Sequence, residues 1–228
     1  MDLIGLIGGM SWESTAEYYR LFNELTRERR GGLHSAELLV HSVDFAGIER
    51  MQADGDWDAA GRELAAVASG LERAGASLLV LCTNTMHKVA PAIEAAVQVP
   101  LLHLGDATAT AVRRAGLERI GLLGTAFTME QDFYRDRLAS HGLEVLVPSA
   151  DDRALVHRVI YDELCLGVVR EDSRTAYLEV VARLRDRGAE GIVLGCTEIE
   201  LLLRPEDTDT PLFPTTRIHV EAALDAVG

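Results

Sequence analysis

Four segments of this chain set polar or reactive side chains directly after short apolar runs: Gly8-Gly9-Met10-Ser11, Thr83-Asn84-Thr85, Gly124-Thr125 and Cys196-Thr197-Glu198. The pair Thr83 and Cys196 carries the clearest chemical content. Gly75–Thr85 lays over Gly188–Glu198 at an offset of 113 residues, and the overlay puts Thr83 opposite Cys196. Two proton-handling groups on opposite faces of one carbon are what inversion by deprotonation and reprotonation requires. A thiol suits such work because its thiolate is reachable near neutral pH, and a helix N-terminus lowers its pKa further. The turns after both positions lead into apparent helices, so this lowering is expected for Cys196. Their backbone N–H groups would also suit a substrate carboxylate and the charge that develops on it. A threonine hydroxyl is a much weaker acid than a thiol, so Thr83 is expected to deliver or relay a proton rather than to remove one.

Other readings of these residue types bear on the assignment. A buried cysteine is ordinarily a small apolar residue. That account suits Cys165, inside a helical stretch, and also Cys82, one position before Thr83 and so turned to the other side of its strand. Cys196 follows a glycine at a strand end and precedes Thr and Glu, which favours function. His87 lies four residues past Thr83, where it would orient a neighbour or simply pack. The seven histidines are scattered without ligand spacing, so no metal is expected. Lys88, the sole lysine, would have to form any Schiff base, and no cofactor of that kind is expected. Gly5, Gly8 and Gly9 do not have the spacing of a dinucleotide-binding loop, and close backbone approach or helix–strand packing explains them better.

The elements that must hold these residues alternate. Leu3–Ile7, Leu38–Val43, Leu78–Leu81, Ile120–Leu123, Leu143–Val147 and Ile192–Leu194 read as buried strands. Ser14–Arg29, Trp57–Ala74, Met129–Ser140, Ala154–Leu166 and Ser173–Arg187 read as helices. This order predicts an α/β fold with parallel sheets and helices on both faces. Ile4–Gly8 also lays over Ile120–Gly124, and Val99–Leu102 over Thr210–Phe213. Three matches in one order predict an internal duplication: two pseudo-symmetric α/β domains, residues 1–98 plus 211–228 and residues 99–210. The proline at position 100 sets the boundary, since it discourages the preceding helix.

Composition narrows the function classes. The 228 residues carry 36 acidic and 22 basic side chains, a formal net charge of −14. Such a surface repels nucleic acid and anionic membranes, so a small-molecule partner is expected. Three cysteines are too few and too odd for a disulfide framework and fit a reducing cytoplasm. The first residues, MDLIGLIGGMSW, show neither the basic region of a signal peptide nor an anchor.

The chain resembles the aspartate/glutamate racemase superfamily, the cofactor-independent amino-acid racemases. The resemblance rests on IGLIGGMSWEST (4–15), HSVDF (41–45), LCTNTMHK (81–88), GTAFTMEQDFY (124–134) and GCTEIELL (195–202). It implies two α/β domains with the site in the cleft between them, a homodimer, and catalysis without PLP or metal by a cysteine from each domain. Cys196 maps onto the second cysteine, which in the family handles the L-enantiomer. Thr83 stands where the first cysteine is usual, like a subgroup with a Thr/Cys pair and broad or aspartate/glutamate specificity. Met10, Gln52, Asn84, Thr85, Thr125, Thr197 and Glu198 fall on substrate-contacting positions. The resemblance implies an arginine and a lysine that grip the two substrate carboxylates in the aspartate racemases; here the arginine position looks like Ile48 and the lysine position falls at or near Cys165, next to Glu163, which weakens strict aspartate specificity. A single-cysteine relative of decarboxylase or maleate-isomerase type, or an inactive binding relative, are the alternatives.

Overall fold

The computed structural model describes residues 2–228. It divides into two compact units, the first running to Leu104 and including His219–Gly228, the second spanning Gly105–Ile218. In the first unit β1 (Ile4–Gly8), α1 (Trp12–Arg30), β2 (Leu38–Ser42), α2 (Phe45–Asp54), α3 (Trp57–Arg73), β3 (Leu78–Leu81), α4 (Ala90–Glu94) and β4 (Leu101–Leu102) follow in order. After α5 (Leu104–Arg114), the second unit continues with β5 (Arg119–Gly124), α6 (Ala126–Glu130), α7 (Asp132–Ser140), β6 (Glu144–Leu146) and α8 (Ala150–Asp162). It ends with α9 (Glu171–Asp186), β7 (Gly191–Gly195), α10 (Ile199–Leu202), β8 (Leu212–Pro214) and the start of α11 (Thr215–Val227).

Each unit is built on a four-stranded parallel sheet, ordered β2-β1-β3-β4 in the first and β6-β5-β7-β8 in the second. The two orders are the same permutation, so the repeat seen in the sequence is a repeat of topology. The central strands β1, β3 and β7 are buried along their whole length, as parallel strands covered on both faces must be. Alternation then divides their side chains between two cores. In the first unit Ile4, Leu6, Leu78, Val80 and Cys82 pack with Tyr18 and Phe22 of α1 and Val220 of α11. Ile7, Leu79 and Leu81 pack on the other face with Ile48, Leu64 and Ile93. In the second unit Leu123, Ile192 and Leu194 meet Val156, Ile160, Tyr177 and Val180.

The structure moves three boundaries. Residues 99–104 belong to the first unit and 211–218 to the second, the reverse of the expected division. The reason is pairing: β4 hydrogen-bonds to β3, and β8 to β7, so Pro100 stands before the last strand of its sheet rather than after it. The expected helix Met129–Ser140 is two helices, because Gln131 is extended (φ −87°, ψ 147°) and ends α6 as it begins α7. The expected helix to Leu166 stops at Asp162 and continues as a 3-10 turn, Leu164–Leu166, closed by the left-handed Gly167. Cys165 is therefore on a turn, half-buried against the second core.

The loop after β1 is fixed by its glycines. Gly9 has φ +93°, and a Cβ there would lie 2.3 Å from the Val43 carbonyl oxygen. The Gly9 amide donates to Thr15 Oγ1 at 2.8 Å, Thr15 Oγ1 donates to the Ser11 carbonyl, and Ser11 caps α1 through the Ser14 amide. Gly55 is also left-handed (φ 73°), but no atom lies within 4 Å of its would-be Cβ. Gly55→Ala is therefore expected to cost about 1 kcal/mol, the left-handed penalty alone. Gly9→Ala, which adds a clash with backbone, is expected to cost about 3 kcal/mol or more in urea unfolding.

One polar cluster in the first unit titrates with folding. His219 donates from Nε2 to the Leu102 carbonyl (2.9 Å), so its Nδ1 accepts from the Tyr18 hydroxyl, also at 2.9 Å. Burial holds the His219 pKa down at about 4, against an ordinary 6.5. Between those values the unfolded chain binds a proton that the folded chain does not, so stability falls as pH is lowered through this window. Urea titrations from pH 6.5 to 4 should show a His219 contribution of about 1 kcal/mol per pH unit, absent in His219→Gln.

Candidate active site

Both groups of expected site residues stand at the carboxyl ends of the central strands, where parallel α/β sheets gather ligands. In the first unit the chain leaves β3 through Cys82 and Thr83. The Cys82 amide donates to the Ile7 carbonyl, which continues the ladder to β1. The Cys82 side chain turns into the core beside Tyr18 and Phe22, fully buried, and burial pushes its thiol pKa well up. Thr83, the next residue, is part-exposed. Asn84 and Thr85 follow, buried, and open a 3-10 turn over Thr85–Val89. The Ser14 hydroxyl donates to the Cys82 carbonyl at 3.2 Å, tying the start of α1 to this exit. Met10 is buried in the core on the α3 side, and the Gln52 amide on α2 donates to the Met86 sulfur at 2.9 Å. Ile48 is wholly buried in the same core.

In the second unit the chain leaves β7 through Cys196, Thr197 and Glu198, all buried. Cys196 Sγ lies 2.8 Å from Glu198 Oε2, with the thiol as donor. The Thr197 hydroxyl accepts from that of Thr216 (3.1 Å), and the Thr216 amide donates to Glu200 Oε1, so α11 braces this turn. Thr215 fixes the strand end by donating its hydroxyl to the Leu194 carbonyl at 2.8 Å. At the end of β5 Thr125 caps α6 by accepting from the Thr128 amide. The neighbouring Ala126 amide donates to His157 Nδ1 at 3.2 Å.

The electrostatics differ from the sequence expectation. A helix N-terminus was expected to lower the Cys196 pKa. Instead α10 is a single turn of four residues, too short to supply much dipole. Burial pushes the Cys196 thiol well above its ordinary range, and the adjacent Glu198 carboxylate adds to the rise. At rest Cys196 is a thiol with its proton already directed at a carboxylate. Glu198, expected as a substrate contact, is thus engaged by the thiol. The residues the sequence reading did not select are Thr215, Thr216 and His157. Only their spacing to a strand end or helix start would have pointed to them.

Among the described residues no group of three or more His, Cys, Asp or Glu side chains is arranged to hold a metal, and no helix is long and apolar enough to cross a membrane. The Lys88 ammonium lies 3.8 Å over the Trp57 ring centroid.

The sequence and the fold have counterparts among known proteins. The sequence model of the Asp/Glu/hydantoin racemase family matches residues 7–223. A crystallised Asp/Glu racemase candidate from Yersinia pestis is 53% identical over 99% of both chains, with a TM-score of 0.93. An aspartate racemase homologue from Pyrococcus horikoshii OT3 is 34% identical, again over 99% of both, with a TM-score of 0.88. The broad specificity amino-acid racemase RacX of Bacillus subtilis is 25% identical over 224 residues, 94% of this chain and 93% of that protein.

The thiol geometry predicts a reactivity pattern. Iodoacetamide at neutral pH should label the part-exposed Cys165 first, with Cys196 slow and Cys82 silent in the folded state. Glu198→Gln removes the negative charge that raises the Cys196 pKa, so Cys196 labelling should accelerate and its pH midpoint should fall. A midpoint that stays put would mean that burial alone sets it.

Proposed function

The chain belongs to the Asp/Glu/hydantoin racemase family, and on that premise we propose that it inverts the α-carbon of an amino acid without a cofactor. Cys196 removes Hα from the L-enantiomer, and Thr83 protonates the opposite face. The observation that carries this reading is the 2.8 Å contact from the Cys196 thiol to Glu198. A cysteine kept only for packing does not need an acceptor for its proton; a cysteine that must become a thiolate does.

The chemistry follows from the charges. In the empty site Glu198 disfavours the thiolate. A bound substrate brings an ammonium group, and a positive charge nearby favours the thiolate. The thiol proton then passes to Glu198, the thiolate takes Hα, and the electron pair left on the α-carbon delocalises into the substrate carboxylate. Backbone N–H groups at the Thr125 and Thr197 turns are the donors available to that carboxylate. The Thr83 hydroxyl gives its proton to the opposite face and is reprotonated from water. In the reverse direction a water-assisted Thr83 must act as base, which is harder. The two enantiomers have equal free energy, so kcat/KM is the same in both directions. The unequal acidities of thiol and alcohol fall on kcat and KM separately.

The specificity we assign is broad, over short amino acids with acidic or neutral polar side chains. Ile48 and Cys165 stand where the resemblance calls for an arginine and a lysine, and the name of RacX carries the same breadth. The reading also takes the protein as a homodimer.

The experiment is a panel of L- and D-amino acids in deuterium oxide without PLP, following isotope uptake and enantiomer ratio together. Uptake at the α-carbon with inversion is expected for at least one short polar amino acid. Cys196→Ala should abolish both uptake and inversion, a loss of about a thousandfold or more. Cys82→Ala should keep activity within about threefold, since the side chain faces the core. A dead Cys82→Ala that remains folded, or stereospecific decarboxylation with no amino-acid exchange, overturns the assignment.

A further inference from the structure

His87 is held at both ring nitrogens. The Leu104 backbone amide donates to Nε2 at 3.1 Å, and Nδ1 lies 2.8 Å from the Thr83 carbonyl oxygen. An amide nitrogen only donates and a carbonyl only accepts, so these two contacts admit a single neutral tautomer, with the proton on Nδ1 and a bare lone pair on Nε2. The ring is 2% exposed and packs edge-on to His103, with ring centroids 4.6 Å apart. Burial keeps it from protonating, and His103 and His219 oppose a charge there as well.

We propose that His87 is a positioning residue for the first half of the site. It clamps the Thr83 carbonyl from one side and the start of α5 from the other, and so fixes the turn that aims the Thr83 hydroxyl. Thr83 needs such a clamp. Its own amide closes a tight turn onto the Leu81 carbonyl, and its side chain is part-exposed rather than packed. The imidazole holds the Thr83 carbonyl oxygen at 2.8 Å, and removing it takes away that hold on the peptide after Thr83. A hydroxyl that is a poor acid gains most from being held in line with the carbon it protonates, because misplacement by about 1 Å costs on the order of a hundredfold. This inference rests on the role proposed above for Thr83.

The test uses the full chain and has two independent arms. Nitrogen-15 NMR of histidine-labelled protein at neutral pH reads the tautomer directly. A proton on Nδ1 of His87 and none on Nε2 is expected; a proton on Nε2, or an imidazolium, overturns the proposal. The second arm starts from the L-substrate in deuterium oxide and compares two rates: wash-in of deuterium to recovered L-enantiomer, which needs Cys196 alone, and formation of D-enantiomer, which also needs Thr83. His87→Phe keeps a ring of similar size with no nitrogen. Its ratio of inversion to wash-in should fall by about tenfold to a hundredfold while KM changes by less than about threefold. His87→Gln, which keeps a donor and an acceptor, should recover most of the ratio. If His87→Phe slows both rates equally, His87 is merely structural and the proposal falls. Thr83→Ala is the control for the reading beneath it: full inversion in that variant removes Thr83 as a proton group whatever the tautomer of His87. If His87→Phe does not fold, the tautomer measurement and His87→Gln decide.

Discussion

A strand buried on both faces has only one place to present a side chain to a ligand, the point where it leaves the sheet. That constraint organises this protein. β1, β3 and β7 are wholly buried and sit in the middle of their sheets, flanked by shorter or part-exposed strands. Their side chains are committed to one core or the other by alternation. One step of the chain past β3 separates a thiol sealed among Tyr18 and Phe22 from a part-exposed hydroxyl. The difference between Cys82 and Thr83 is therefore one of register, and the ladder bond from the Cys82 amide to Ile7 fixes that register.

The second unit repeats the arrangement with different chemistry. At the equivalent exit a cysteine meets a glutamate two residues later. The pair is kept in its protonated, hydrogen-bonded form by burial and by the carboxylate's charge. This is a resting state that resists adventitious alkylation and oxidation, since the thiolate is the reactive species. In the reading proposed above, a substrate ammonium is attracted to this negative site and favours the thiolate. The exit from β3 in the first unit carries neutral groups: the Thr83 hydroxyl, the Asn84 amide and the uncharged His87 imidazole.

Much of this was legible in the sequence. Strands of Leu, Ile and Val bounded by glycine are legible in β1, β3 and β7 because fully buried parallel strands leave that composition, whereas β2 and β6, expected to be buried, are edge strands that lie part-exposed to exposed. The duplication was legible because equivalent strand exits carry similar residues. The helices that went unread are instructive. α5 builds its buried face largely from alanine and threonine and contains glycine, α2 is short, and α11 begins Thr-Thr and holds a buried histidine, so none carries the long Leu- and Val-rich face that marks α3 or α9. The domain boundary was misplaced because Pro100 looks like a stop, while two residues of strand beyond it still find a partner in β3. The acidity of Cys196 was misjudged because a sequence shows that a turn follows a strand but not how long the next helix runs. The partners of His87 were invisible for a related reason: Leu104 lies 17 residues away, and backbone donors leave no mark on residue type.

The return of the final helix has a consequence for how the molecule is made. Val220, Ala223 and Leu224 complete one core of the first unit, and His219 is buried beneath Tyr18. A ribosome therefore delivers all of residues 105–218 before that core can close, while this contiguous stretch has its own strands in hand earlier. The half that emerges first is the half whose core closes later, and one face of its sheet stays incompletely covered until residues 219–224 arrive.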